Sequence, residues 1–179
     1  MAKKGQVVTA VYAGSFDPVT LGHLDVIRRA SRLFNRLVVG VGRNPDKREM
    51  FTQAERVALL TPHLAELPNT CVEAYQGLTT DFARSVGALV LVRGIRDFTD
   101  LSFELLQANV NRTIGGMETA FLLTSDQHVL TSSTYIRQVY EMGGGDRERI
   151  ERLVPANVAQ LLERKLGGKR PRRKPARKG

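Results

Sequence analysis

The 179-residue chain has one cysteine and no tryptophan. A single thiol, Cys71, excludes an internal disulfide framework and any multi-cysteine metal site. It lies in the apolar stretch Cys71-Val72-Glu73-Ala74-Tyr75, which predicts a buried structural thiol. No apolar run reaches the length of a membrane span, and no hydrophobic stretch of a secretory leader follows Met1-Ala2-Lys3-Lys4-Gly5. These absences predict a soluble, cytoplasmic protein. Two common nucleotide-binding signatures are also missing. There is no Walker A lysine motif, and Gly40-Val41-Gly42-Arg43-Asn44-Pro45 puts proline where a dinucleotide fingerprint needs its third glycine.

Acidic residues are absent from Gly167 onward, where seven basic residues are interrupted by glycine and proline. Without them the formal charge of +9 falls to 20 basic against 18 acidic residues. The basicity therefore belongs to the tail. Such a segment cannot bury a core, which predicts a folded domain over 1–166 and a disordered basic tail over 167–179. The tail could associate with nucleic acid, at most weakly, through counterion release.

In the rest of the chain, short apolar runs alternate with helix-period segments. Strands are expected near 7–12, 37–42, 71–75, 89–92 and 119–123. Helices are expected near 23–34, 52–66, 79–86, 100–114 and 132–142, with more helix around 146–153 and 156–166. Thr52-Gln53-Ala54-Glu55 is a capping-box pattern, and Pro62 is placed to end or kink the helix it begins. The alternation predicts an α/β fold: a Rossmann-like, doubly wound five-stranded parallel sheet of order 3-2-1-4-5, with helices on both faces and a C-terminal helical segment. Ligands bind such sheets beyond the strands' carboxyl ends, where the winding reverses. That switch point lies between the first and fourth strands, so the loops Gly14–Gly22 and Arg93–Thr99 should carry the chemistry.

Those two loops are chemically loaded. Gly14-Ser15-Phe16-Asp17-Pro18-Val19-Thr20-Leu21-Gly22-His23 offers backbone N–H groups, the Ser15 hydroxyl and an imidazole at the positive end of a helix. Gly22, without a side chain, leaves room for a ligand beside His23. Arg93 and Arg96 follow the fourth strand, and Lys47 lies in the loop after the second. Cations and donors converging from separate loops suit phosphoryl chemistry governed by positioning and electrostatics.

The first loop resembles the T/HxGH signature of the nucleotidyltransferase superfamily. From Val8 to Leu166 the chain resembles the bacterial phosphopantetheine adenylyltransferases. The likeness rests on Asn44-Pro-x-Lys47-x-x-Met50-Phe51, Thr52-x-x-Glu55-Arg56, Asp81-Phe82-Ala83-Arg84, Arg93-Gly94-Ile95-Arg96, Phe103-Glu104, Asn109-x-Asn111-Arg112 and Thr131-Ser132-Ser133-Thr134. It implies AMP transfer from ATP to 4′-phosphopantetheine, giving dephospho-coenzyme A and pyrophosphate, the penultimate step of coenzyme A synthesis. It also implies a homohexamer.

By the same resemblance the catalytic set is His23, Lys47, Arg93 and Ser15, with His23 stabilising the transition state. Lys47 and Arg93 would hold phosphates, Ser15 would bridge the substrates, and Thr79 would touch the pantetheine arm. ATP would lie against Ser15, Phe16, His23, Gly94, Ile95, Arg96, Glu104, His128, Val129, Leu130, Thr131, Ser132, Ser133 and Thr134. Magnesium would accompany ATP on its phosphate oxygens, with no dedicated protein metal site. Ser15 stands where relatives often carry threonine, and Phe103 where many carry tyrosine. The spelling Ser132-x-Thr134-x-x-Arg137 is equally at home in nicotinamide or nicotinate mononucleotide adenylyltransferases, so a mononucleotide acceptor stays open. So does a nucleic-acid binder led by the tail.

Overall fold

The computed structural model describes residues 7–43, 48–125, 127, 131–142 and 147–166. Five parallel strands form one sheet: β1 (Thr9–Gly14), β2 (Arg36–Val41), β3 (Thr70–Ala74), β4 (Val90–Ile95) and β5 (Glu118–Leu123), in the order β3-β2-β1-β4-β5. This is the expected topology. The central strand sets the register, with Val11 opposite Val38 on one side and Leu91 on the other. Alternate residues of β1 enter different cores. Ala10 and Tyr12 join Leu37, Val39 and Val92 on one face, while Val11 and Ala13 join Val38 and Leu91 on the other.

Helices cover both faces. The first carries α1 (Leu21–Leu33), α2 (Gln53–Leu60), α5 (Ser133–Glu141), the short α6 (Arg147–Ile150) and α7 (Ala156–Leu166). Leu24, Ile27, Leu60, Ile136, Ile150, Val158 and Leu162 from these helices share one core cluster. On the second face α3 (Thr79–Ser85) sends Phe82 and Ala83 against the sheet. The longest helix, α4 (Phe98–Gly115), contacts β4 and β5 but buries only Gly115 of its own 18 residues.

The expected helix over 52–66 is interrupted where Pro62 stands: α2 ends at Leu60 and a 3-10 turn runs over Thr61–Leu64. Thr52 and Glu55 form the capping box in both directions. The first helix begins at Leu21, two residues ahead of His23, because Thr20 is its N-cap. Cys71 departs from expectation. It is half-buried rather than buried, because β3 is an edge strand whose first four residues all remain partly exposed. The segment 167–179 lies outside the described residues. Among those described, no helix is long and apolar enough to cross a membrane.

Candidate active site

The loop from β1 to α1 is built around one unusual backbone position. Phe16 has φ of 48°, a left-handed conformation that costs a bulky residue free energy and persists where surroundings enforce it. Here the ring is 1% exposed, edge-on to Tyr12 with centroids 5.4 Å apart and to His23 at 5.0 Å. That packing holds Ser15 at the mouth of β1.

Beyond the carboxyl ends of β1 and β4 opens a cleft of about 810 Å³. Ser15, Phe16 and His23 line it from the first loop, Arg93, Gly94 and Arg96 from the end of β4, and Asp100, Phe103, Glu104 and Gln107 from one face of α4. Thr131, Ser132, Ser133 and Thr134 close it from the start of α5. The structure thus brings Ser15, Phe16, His23, Arg93, Gly94, Arg96, Glu104 and the run from Thr131 to Thr134 of the sequence-predicted site to one cleft. Ile95 is 4% exposed and stands behind the wall. Thr79 is also set back: its hydroxyl bonds the Tyr75 hydroxyl at 2.8 Å, and it is Tyr75 that lines the cleft. Lys47, His128, Val129 and Leu130 lie outside the described residues.

His23 is the third residue of α1. Its backbone N–H donates to the Thr20 hydroxyl, and its Nδ1 accepts from the Thr20 N–H at 3.0 Å, a capping box with imidazole in the usual place of a carboxylate. Because Nδ1 is an acceptor, the proton of the neutral ring resides on Nε2. Burial, with the Arg96 and Arg93 guanidinium groups nearby, pushes the imidazole pKa down to about 3. His23 is therefore a neutral hydrogen-bond donor at neutral pH.

The amino end of α1 differs from the sequence expectation that its loop would offer free backbone donors to phosphate. The Leu21 N–H donates to the Leu153 carbonyl at 3.0 Å, the Gly22 N–H to the Thr131 hydroxyl at 3.1 Å, and the His23 N–H to Thr20. All three first-turn donors already have protein acceptors, so α1 contributes its dipole and its imidazole. At α5, by contrast, the N-cap Ser132 makes no side-chain capping bond among the described residues.

Both arginines of Arg93-Gly94-Ile95-Arg96 are pinned by carboxylates from α4. Arg93 grips Glu104 with Nε (2.5 Å) and Nη2 (2.6 Å) and donates Nη1–H to the Ala13 carbonyl at 2.7 Å. Arg96 grips Asp100 with Nε (2.6 Å) and Nη2 (2.8 Å). Burial opposes the charge of Arg93, but Glu104 outweighs it and the guanidinium pKa lies above its usual value. Asp100 raises that of Arg96 in the same way, against some burial. A guanidinium has five N–H donors, so each arginine keeps donors for a ligand without breaking its ion pair. Glu104, expected against ATP, has both carboxylate oxygens on Arg93.

Four supporting residues had no site role in the sequence reading. Arg56 is 1% exposed and donates Nη1–H to the carbonyls of Ser15 (2.7 Å) and Gly42 (2.9 Å), with Nη2 on Glu49 at 2.8 Å. Buried Asp17 pairs with half-buried Arg137 under the same loop. Tyr75 stacks on Phe82 at 4.4 Å and fixes the need for Gly42, where a Cβ would come within 2.6 Å of its hydroxyl oxygen. The aromatic wall had no local signal. The run Phe16-Asp17-Pro18 in the recognised motif was the available pointer to Asp17.

The cytidylyltransferase-like family model matches residues 11–139, which takes in β1 through most of α5. A phosphopantetheine adenylyltransferase of Levilactobacillus brevis is 46% identical over 160 residues, covering 89% of this chain and 97% of the relative. That of Synechococcus elongatus is 42% identical over 156 residues, covering 87% of this chain and 92% of the relative. Among solved structures, the Plasmodium falciparum nicotinic acid mononucleotide adenylyltransferase complexed with NaAD aligns with a TM-score of 0.65. It is 13% identical and covers 89% of this chain and 96% of that one, a likeness of fold alone. The chain belongs to the phosphopantetheine adenylyltransferases, within the cytidylyltransferase-like family of nucleotidyltransferases.

Proposed function

We propose that this chain transfers AMP from ATP to 4′-phosphopantetheine by direct in-line attack of the acceptor phosphate on the α-phosphorus, releasing pyrophosphate. The observation that carries the mechanism is His23, a neutral imidazole with its free N–H at a cleft lined by Arg93 and Arg96. A phosphate monoester with a second pKa of about 6 is already largely ionised at neutral pH and needs no general base. A donor fixed in position and needing no reorganisation is what a charge-spreading transition state rewards. In this reading His23 donates to an α-phosphate oxygen, Arg93 and Lys47 hold the acceptor phosphate, and Ser15 touches both substrates. The first turn of α5 at Ser132–Thr134, which lines the cleft, takes the β- and γ-phosphates, and Arg96 keeps donors for them.

Magnesium fits this cleft as a companion of ATP. Asp100 and Glu104 are both engaged by arginines, which leaves phosphate oxygens and water as its natural ligands. When bound it would neutralise phosphate charge. Supporting a homohexamer, α4 exposes Phe98, Leu106 and Ile114 at 81%, 61% and 66% beside Phe103 at 59%. A monomer in light scattering would overturn that assembly. A cytoplasmic location goes with the same reading.

The deciding assay is magnesium-dependent pyrophosphate release from ATP with 4′-phosphopantetheine, nicotinamide mononucleotide or nicotinate mononucleotide offered separately. Release only with phosphopantetheine, with dephospho-coenzyme A identified by mass, supports the proposal. Release only with a mononucleotide keeps the mechanism and replaces the acceptor.

A further inference from the structure

The motif around α5 contains an arginine that the site does not use. Asp17 is 2% exposed, and its carboxylate accepts the backbone N–H of Met50 at 2.8 Å and of Phe51 at 2.9 Å. Arg137, from the middle of α5, places Nη2 on the same carboxylate. Its Nε–H goes to the Asp17 carbonyl at 2.8 Å and its Nη1–H to the Arg48 carbonyl at 2.9 Å. Neither residue is part of the cleft wall. The pair ties together three segments: the loop that presents Ser15, residues 48–51, and α5, whose first turn faces the cleft. One turn before Arg137, the Ser133 hydroxyl adds a bond to the Pro18 carbonyl at 2.9 Å. Glu49 is held from another side by Arg56, which also bonds the Ser15 carbonyl.

We infer that Asp17 and Arg137 are positioning residues for nucleotidyl transfer, and that Arg137 acts through Asp17 rather than as a ligand of phosphate. The inference rests on the AMP-transfer reading above. Its physical content is a distinction between two roles for one cation. As a phosphate ligand, Arg137 would be held back by Asp17, and neutralising the carboxylate would leave ATP binding unchanged or tighten it. As two halves of one latch, Arg137 and Asp17 are needed for the same thing, and losing either costs what losing both costs. Misplacing reacting groups by about 1 Å can cost ~100-fold in rate, so the latch should register in turnover.

The test compares Asp17→Asn, Arg137→Gln, the double variant and Arg137→Lys, by steady-state kinetics and by amide hydrogen exchange at Met50 and Phe51. We expect kcat to fall roughly 10- to 100-fold in each single variant, with the KM for ATP within about threefold of the starting protein. The double variant should be no worse than the poorer single one, and Arg137→Lys should recover part of kcat. Exchange at both amides should quicken in Asp17→Asn and Arg137→Gln, and stay slower in Arg137→Lys. Three results would overturn the inference. They are a tenfold or greater rise in ATP KM for Arg137→Gln with normal kinetics in Asp17→Asn, fully additive losses, or unaltered exchange in Arg137→Gln. Should Asp17→Asn not fold, exchange in Arg137→Gln decides alone. If the unsubstituted protein turns over none of the acceptors, the AMP-transfer reading fails, while exchange still reports on the latch.

Discussion

Two sets of arginines surround the cleft, and they are used differently. Arg93 and Arg96 meet carboxylates carried by α4, side chain to side chain, with one Arg93 donor on the Ala13 carbonyl, and both line the open cleft. Arg56 and Arg137 lie beneath the loops, and their donors go largely to main-chain carbonyls of Ser15, Gly42, Asp17 and Arg48. The first set has charge fixed in direction but available. The second has its charge matched internally and its geometry dictated by backbone. A guanidinium can therefore serve as ligand or as scaffold according to what its acceptors are, and the two roles should separate in experiment.

The largest effect should come from the group both sets surround. His23→Ala removes a preorganised donor, and kcat should fall on the order of 100- to 1,000-fold with ATP affinity by calorimetry largely kept. Arg56→Met should break the fold more than the chemistry. It leaves buried carbonyls and Glu49 without their partner, and urea unfolding should show a loss of about 3 kcal/mol. Arg93→Ala should lower kcat/KM roughly 100-fold, and although it strands Glu104 its urea midpoint should fall by less than in Arg56→Met, because this pair borders the cleft. Comparable stability losses in Arg56→Met and Arg93→Ala would erase the distinction between the two sets.

Smaller effects sharpen it. His23 is held near 3 in the folded chain against 6.5 unfolded, so between those values the unfolded chain binds more protons. The stability this group allows is whole above about pH 6.5 and declines as pH falls toward 3. Unfolding measured across that window should have a shallower pH dependence in His23→Ala. The smallest effect belongs to the tail: removing 167–179 should leave turnover nearly unchanged, whereas abolished function would revive a role led by nucleic acid.

Most of the architecture was legible. Alternation of apolar runs located all five strands, Pro62 marked the end of α2, and Gly14–His23 with Arg93–Arg96 identified the cleft. These are local signals, carried by residues close together in the chain. The parts that were not legible are contacts between distant residues. Arg56 reaches Ser15 and Arg137 reaches Asp17, and periodicity has no term for a side chain that bonds a carbonyl in another segment. The occupied amino end of α1 was hidden for the same reason, since its acceptors come from Thr131 and Leu153. Cys71 was misplaced because apolar neighbours do not reveal whether a strand lies at the sheet's edge.

The bond from Leu21 to Leu153 has a bearing on how the chain is made. The helix that carries His23 is made before most of its packing partners, and one of its leading donors meets an acceptor that is made only after all five strands. Val158, Ala159 and Leu162 complete the same core cluster as Leu24 and Ile27. Until α7 emerges, that face of the sheet, already carrying α1, α2 and α5, lacks part of its cover. The growing chain therefore holds part of an apolar face exposed after the residues that line the cleft have been made.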